Sequence, residues 1–196
     1  DLDEAGVTSL EAGAFRGLGS LIDLDLDENQ LGTIVSGTFE GLGKLDNLDL
    51  DEAGVTSLEA GAFRGLGSLT ELDLDENPLG ALTIGAFDGL HMLQTLRLRN
   101  MQLGIISPEA FRGLGNVTEL WLYSAGLTSI AAGAFDPLGD LNILDLRNNP
   151  DLQCIPGYEL DGIGDLRFDS PFDPDGQCGC DPSEDNSCEG DMECCP

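Results

Sequence analysis

The chain has 196 residues, and its 37 Asp and Glu outnumber its 8 Lys and Arg to give a formal net charge of -29. We expect no nucleic-acid partner, because phosphate binding depends on basic side chains that displace counterions. An anionic membrane surface is excluded for the same reason, and no uncharged run is long enough for membrane insertion within this chain.

A 24-residue repeat organises most of the sequence, with the consensus LxxLxLxx(N)xLxxLxxGAFxGLxx. The LxxLxL part predicts a short strand whose leucines face a core while the residues between them face outward. We expect the phenylalanine of each repeat, and the leucine that follows it, to fill the same core from the opposite wall. The phenylalanines that mark the period are Phe15, Phe39, Phe63, Phe87, Phe111 and Phe135.

This consensus resembles that of the leucine-rich repeat family, in the variety typical of extracellular eukaryotic proteins. The resemblance covers residues 1–149 and implies an α/β repeat solenoid, curved and right-handed, with a concave parallel β-sheet and an irregular convex face. Each repeat of such a solenoid contacts only its neighbours. We predict a partial first strand plus six 24-residue repeats in residues 1–149, followed by a disulfide-rich C-terminal cap in residues 150–196.

The N-terminal part contains a duplicated block, because residues 1–29 and 49–77 differ only at positions 22/70 and 23/71. The sequence opens inside such a block, without the Cys-bearing N-terminal cap that the family usually carries. We therefore expect an exposed end of the core at Leu2, Val7, Leu10 and Phe15. Upstream repeats or a partner would cover this end, and self-assembly through the open repeat is one form that a partner would take.

The family's turn-closing asparagine is kept in some repeats and lost in others. Where it is lost, we expect the freed backbone groups to bond to other partners, water in particular. The asparagine is present as Asn29, Asn77 and Asn149 and is replaced by Ala5, Ala53, Met101 and Ala125.

The outward positions of the first strands form acidic columns across neighbouring repeats. Like charges directly opposed on adjacent strands, about 5 Å apart, destabilise a sheet, so stability alone would not select them. We interpret these acidic columns as a binding surface for a basic protein, a basic peptide or a cation. The alternative is a solvated face of a protein that lives at high ionic strength. The acids are Asp25, Asp49 and Asp73 in the first column and Asp27, Asp51 and Asp75 in the second.

In the next three repeats, arginine and aromatic residues occupy all but one of the same outward positions, the exception being Asp145. Trp, Tyr and Arg are the residues that most often carry binding energy at interfaces, and we predict that they anchor the ligand. The alternative is a local arrangement in which the first two arginines pair with Asp73 and Asp75 and stack on the aromatic rings. This Arg-aromatic patch comprises Arg97, Arg99, Trp121, Tyr123 and Arg147.

The C-terminal cap holds all six cysteines of the chain. An even number of cysteines in a segment with little core predicts disulfides and an extracellular compartment, and it leaves the pairing open. The sequon that begins at Asn116 predicts N-glycosylation, in agreement with that compartment. The spacing of Ile163, Leu166 and Phe168 predicts one last, degenerate strand. The cysteines are Cys154, Cys178, Cys180, Cys188, Cys194 and Cys195.

We expect no cofactor and no catalysis. Paired Asp residues supply the oxygen ligands that calcium prefers, but a ladder presents them in one plane and no EF-hand spacing is present, so only weak calcium binding is expected. His91 is the one histidine, and neither a nucleophile nor a metal ligand lies near it in the sequence. Carboxylates about 5 Å apart match a retaining glycosidase, yet a stacked ladder produces that distance automatically.

Together these features predict a non-catalytic extracellular or cell-surface module that binds a protein or peptide ligand, with a basic portion, on its concave face. The rival prediction is a structural leucine-rich repeat module of an extracellular fibre, wall or surface appendage, assembled by protein-protein contacts. A receptor module should be monomeric with a saturable ligand, whereas a structural module should be recovered in assemblies.

Overall fold

A parallel β-solenoid is the architecture of the chain, as predicted. The computed structural model describes residues 2–152, 155, 160 and 162–169. Its main sheet holds seven strands, each paired in parallel with the corresponding strand of the next repeat. In spatial order they are β1 (Asp23–Asp25), β3 (Asn47–Asp49), β5 (Glu71–Asp73), β6 (Thr95–Arg97), β8 (Glu119–Trp121), β10 (Ile143–Asp145) and β11 (Asp165–Arg167).

These strands are shorter than the LxxLxL pattern, because the chain turns sharply three residues after each one. The turning residue has a positive φ, for example 49° at Glu28 and 54° at Glu76. Such left-handed backbone is uncommon for residues other than glycine. The same conformation recurs in every repeat at Glu4, Glu28, Glu52, Glu76, Asn100, Ser124 and Asn148.

The core is a stack of identical layers. The strand leucines are buried, with Leu48 and Leu72 at 1% and 0% exposure. Opposite them the phenylalanines form a continuous stack in which neighbouring ring centroids lie between 5.8 and 6.5 Å apart. Ring stacking at this distance adds to the free energy gained from burial, so the two walls predicted from the repeat enclose one core.

Asn77 closes its turn as the family resemblance implies. It is 2% exposed, its Nδ2 donates to the carbonyl oxygens of Leu50 at 2.7 Å and Leu74 at 2.8 Å, and its Oδ1 accepts the N–H of Val55 at 2.7 Å. Asn29 and Asn149 make the equivalent hydrogen bonds.

At Ala53 and Ala125, a backbone carbonyl oxygen accepts the N–H that the asparagine Oδ1 accepts in other repeats, whereas bonding of the other freed backbone groups to water stays a prediction. The Leu31 N–H donates to the carbonyl oxygen of Ala53 at 2.8 Å, and the Leu103 N–H donates to that of Ala125 at 2.9 Å. The closer approach of the turns requires Gly54, since a Cβ there would lie 2.9 Å from the Cα of Gln30.

Two small sheets form on the convex side at these alanine turns. Each joins the convex segments of two neighbouring repeats, while the other repeats keep turns there. The strands are β2 (Gly32–Ile34) with β4 (Val55–Leu58), and β7 (Gly104–Ile106) with β9 (Leu127–Ile130).

A column of alternating charge runs beside the phenylalanine stack on the convex side. Arg16 pairs with Glu40 at 2.9 Å, and Arg112 pairs with Asp88 at 2.8 Å. Exposed pairs of this kind contribute less than about 1 kcal/mol each, but the alternation avoids like charges on neighbouring repeats. The full column is Arg16, Glu40, Arg64, Asp88, Arg112 and Asp136.

The two ends of the solenoid differ. At the first turn Leu2 is 40% and Leu18 49% exposed, while their counterparts Leu26 and Leu42 are fully buried; covering of this end by a partner stays a prediction. At the other end β11 confirms the predicted last strand and adds it to the main sheet. The division at residue 149 also stays a prediction, and the six cysteines lie outside the described residues.

Candidate binding face on the seven-stranded sheet

The outward residues of the main sheet form a register that matches the predicted first column. Asp25 lies opposite Asp49, and Asp49 lies opposite Asp73. The column continues through Arg97 and Trp121 to Asp145 and ends at Arg167, which the sequence analysis missed. The LxxLxL spacing of Ile163, Leu166 and Phe168, which places residue 167 directly after the strand leucine, was the available signal.

The first-column aspartates hold the end of each strand. The Oδ1 of Asp49 accepts the N–H of residue 51 at 3.0 Å, and the Oδ1 of Asp73 accepts that of residue 75 at 3.0 Å. An aspartate that bonds to the N–H two residues later stabilises a turn. These carboxylates therefore have a structural task besides any role in binding.

In the second column, Asp75 differs from the two acids before it. It is 2% exposed and accepts the backbone N–H of Arg99 at 2.5 Å, while the Arg99 guanidinium pairs with the same carboxylate. Asp27 and Asp51 have no such partner: the Oδ1 of each is buried and has no hydrogen bond within the described part of the chain. A buried carboxylate oxygen without a partner is unfavourable when it is charged.

The pKa values follow this difference in partners. Burial, together with the carboxyl groups of Asp25 and Asp3, raises the pKa of Asp27 to about 7. Burial and the negative charge of Asp75 raise the pKa of Asp51. Burial also raises the pKa of Asp73 to about 7, against the lowering effect of the hydrogen bond from the residue 75 N–H.

The opposite shift occurs where an arginine pairs with the acid. Burial acts to raise the pKa of Asp145, but the hydrogen bonds from the side chain and backbone of Arg147 outweigh it and the pKa is lowered. The Arg147 guanidinium donates to Asp145 at 2.5 Å. The charges of this part of the face are thus compensated within the chain.

All arginines of the patch are ion-paired. Arg97 pairs with Glu71 and lies 3.6 Å from Asp73, and Arg99 pairs with Asp75, as the alternative reading of the sequence predicted. Because both guanidinium groups turn toward these acids on the β5 side, they do not supply the predicted stacking on the aromatic rings.

The stacking comes from the other side of the rings. The Arg147 guanidinium lies 5.8 Å from the centroid of Tyr123, and that of Arg167 lies 5.0 Å from the centroid of Trp121. The Trp121 Nε1–H donates to Glu119 at 3.3 Å, and Tyr123 is 38% exposed. Cation-π contacts of this kind hold a ring in one orientation, so the two aromatic side chains form a prearranged outward surface.

Three carboxylates come together beside β1, because oxygens of Asp3, Asp27 and Glu28 lie within 4.8 Å of one another. Calcium requires six to eight oxygen ligands from several directions. Three acids on a partly exposed edge do not meet that requirement, so we assign no metal ligands here. Weak calcium binding stays a prediction.

Two predicted positions lie away from this face. Asn116 is exposed, and its side-chain amide donates to the backbone carbonyl of His91; its glycosylation stays a prediction. His91 is itself exposed on a convex turn. No helix in the described residues is long and apolar enough to cross a membrane.

A solved structure with a similar fold is found among known proteins. Among solved structures, the chain is similar to TLR13 in a structure described as a TLR13-ssRNA13 complex, with a TM-score of 0.64 and 24% identity. The similarity covers 83% of this chain but 28% of that one, so the chain spans just over a quarter of its length. No curated protein gives a significant match.

A family model settles the classification. The model for the leucine rich repeat matches residues 1–52, 44–103, 68–124 and 93–150, which together span all strands of the main sheet except β11. The 24-residue period, the seven-stranded parallel sheet and this match agree, and the chain belongs to the leucine-rich repeat family.

Proposed function

We propose that the chain is a non-catalytic recognition module, outside the cell or at its surface, that binds a protein or peptide on its main sheet. Proteins of this family are generally interaction modules, which supports a binding role. A ligand class has to be argued from the outward residues of this chain itself.

The division of the main sheet into two halves carries the proposal. On β1 and β3 the outward acids have no ion pair within the described residues, whereas from β5 onward each arginine of the sheet face compensates an acid. The first half is therefore a negative surface, whereas in the second the four arginines offset most of the acids, and Tyr123 and Trp121 lie on the outward face. A ligand that places basic residues on the first half and an apolar group on the second complements both.

The aromatic pair has the features of an interface anchor. Tyr123 and Trp121 are held by Arg147 and Arg167 before any ligand arrives, so little side-chain entropy is lost when they are covered. Rigid aromatic groups beside arginines are enriched among the residues that dominate binding energy.

The comparison structure is described as a complex with ssRNA13, so a nucleic-acid ligand has to be weighed. At 24% identity that likeness concerns the fold. The outward columns of the first half carry carboxylates, which repel phosphate. We therefore retain a protein or peptide as the proposed ligand, and the absence of RNA binding as a prediction.

A random peptide display library selected against the protein tests this function. Selected peptides should carry Lys or Arg, and the double substitution Trp121→Ala and Tyr123→Ala should weaken their binding by about 2 kcal/mol, or about thirtyfold. The matched control is Ile84→Ala with Met92→Ala, which removes exposed apolar side chains from the convex side (49% and 50% exposed). Equal losses in both double variants would reject the main sheet as the binding face.

A further inference from the structure

The position of the second-column acids that have no ion pair within the described residues suggests how binding on this face is regulated. Asp27, Asp51 and Asp75 occupy the same place in successive repeats, and Asp75 alone among the three receives a guanidinium. The chain thereby provides its own comparison between a compensated and an uncompensated carboxylate in one structural setting.

Acidic groups surround Asp27 on every side from which the chain packs against it. The equivalent segment of the preceding repeat packs against the segment that carries Asp27, since the N–H of residue 4 donates to the carbonyl oxygen of residue 27. On the other side the N–H of residue 28 donates to the carbonyl oxygen of residue 51. The charged groups carried by these three segments are Asp3, Glu4, Asp25, Glu28, Asp49 and Asp51.

A similar environment surrounds Asp51. It lies between Asp27 and Asp75 in the column, and the guanidinium of Arg99, the basic group nearest along the column, is already paired with Asp75. The Oδ1 atoms of Asp27 and Asp51 are each buried without a partner among the described residues. A carboxyl group that is desolvated and faced by other acids is stabilised by taking up a proton.

We propose that the acidic half of the main sheet is a pH-regulated surface, on which Asp27 and Asp51 take up protons as the pH falls below neutral and thereby release a basic ligand. This regulation rests on the function proposed above. The geometry is supported by the raised pKa of both groups, about 7 for Asp27. Protonation removes negative charge from the half of the sheet that a basic ligand would contact, whereas Arg147 keeps Asp145 charged.

The coupling between protons and ligand has a definite sign. A basic ligand favours the charged carboxylates and so lowers their pKa, and by reciprocity protonation weakens its binding. If the ligand lowers the pKa of one such group by about one unit, its affinity falls about tenfold once that group is protonated.

Two measurements on the intact protein test the proposal. Carbon NMR of the labelled Asp carboxyl groups should show a midpoint near 7 for Asp27, absent from the variant Asp27→Asn with Asp51→Asn. Octaarginine serves as the basic probe, with binding measured by isothermal titration calorimetry. We expect binding to be about tenfold weaker at pH about 5.5 than at pH about 8, and the double variant should lose most of this difference, since Asp73, whose pKa is also about 7, still takes up a proton.

The matched control removes two negative charges from the convex side, by Glu40→Gln with Asp88→Asn, and should keep the pH dependence. Midpoints below about 5 for both Asp27 and Asp51 would overturn the proposal, as would titration of these groups near neutrality with an unchanged affinity. Failure of octaarginine to bind at pH about 8 would refute the proposed basic ligand and with it the regulation, while the midpoints would still report proton uptake separately.

Discussion

Replacing Glu109 by glycine should stabilise the protein, although it removes a charged side chain and adds no contact. Glu109 has a φ of 60°, and the equivalent positions of the other repeats, such as Gly85 at 79° and Gly37 at 85°, are glycine. An L-residue in this conformation costs about 1–2 kcal/mol. Glycine avoids that cost but loses about 0.5–1 kcal/mol more backbone entropy on folding, so we expect a net gain of about 0.5–1 kcal/mol.

The contacts of the Glu109 side chain do not offset this gain. Its carboxylate lies 3.9 Å from Arg112, and the two side chains are 64% and 48% exposed. Such a pair contributes at most a few tenths of a kcal/mol. The turn hydrogen bond from the Arg112 N–H to the carbonyl oxygen of residue 109, at 3.0 Å, involves the backbone and is kept.

Urea unfolding provides the assay, with the midpoint expected to rise at an unchanged slope. Glu109→Ala is the control for the lost charge and should leave stability within about 0.5 kcal/mol, because the strained backbone remains. Gly37→Ala is the reverse test: its Cβ would lie no nearer than 3.4 Å to a neighbouring atom, so a loss of about 1 kcal/mol would reflect backbone strain. A gain in Glu109→Ala as large as that in Glu109→Gly would refute the reasoning.

Two further predictions concern the core and the acidic columns. Phe63→Ala should lower the free energy of unfolding in urea by about 3–5 kcal/mol, because the fully buried ring of Phe63 stacks on a ring on each side, at 5.8 and 5.9 Å. Phe15→Ala should lower it clearly less, because Phe15 stacks on one neighbouring ring. Equal losses in the two variants would contradict the stacking argument. The melting temperature should be several degrees higher at pH about 5.5 than at pH about 8. Asp27 and Asp73, both with a pKa of about 7, bind protons more tightly in the folded than in the unfolded chain. The stability gain therefore develops as the pH falls through 7 toward about 4, and a melting temperature that stays constant or falls over this range would contradict the prediction.

The 24-residue period was sufficient to predict the strands and their register. It did not predict backbone conformations or the contacts between neighbouring turns. Leucine and phenylalanine spacing was sufficient for the parallel sheet, because a strict period without insertions permits one stacking register. It was also sufficient to align Asp25 with Asp49, since both follow the same strand leucine. The pattern predicted the pairing of Arg97 and Arg99 with acids of the preceding repeat.

Other features required the backbone itself. The pattern does not reveal that Glu109 and Glu28 adopt positive φ, because glutamate carries no preference for that conformation. The bond from the Leu31 N–H to the Ala53 carbonyl depends on how closely two turns approach, which spacing alone does not determine.

The alternating charges on the convex side favour two repeats over one as the unit by which this solenoid changes its length. Deleting residues 29–52 would bring Arg16 beside Arg64, whereas deleting residues 29–76 would bring Arg16 beside Asp88 and restore the alternation. The longer deletion also moves Asn77 into the place of Asn29 and removes the β2–β4 pair whole. Insertion or deletion of 48 residues would therefore preserve these contacts. The near-identical blocks 1–29 and 49–77 are 48 residues apart.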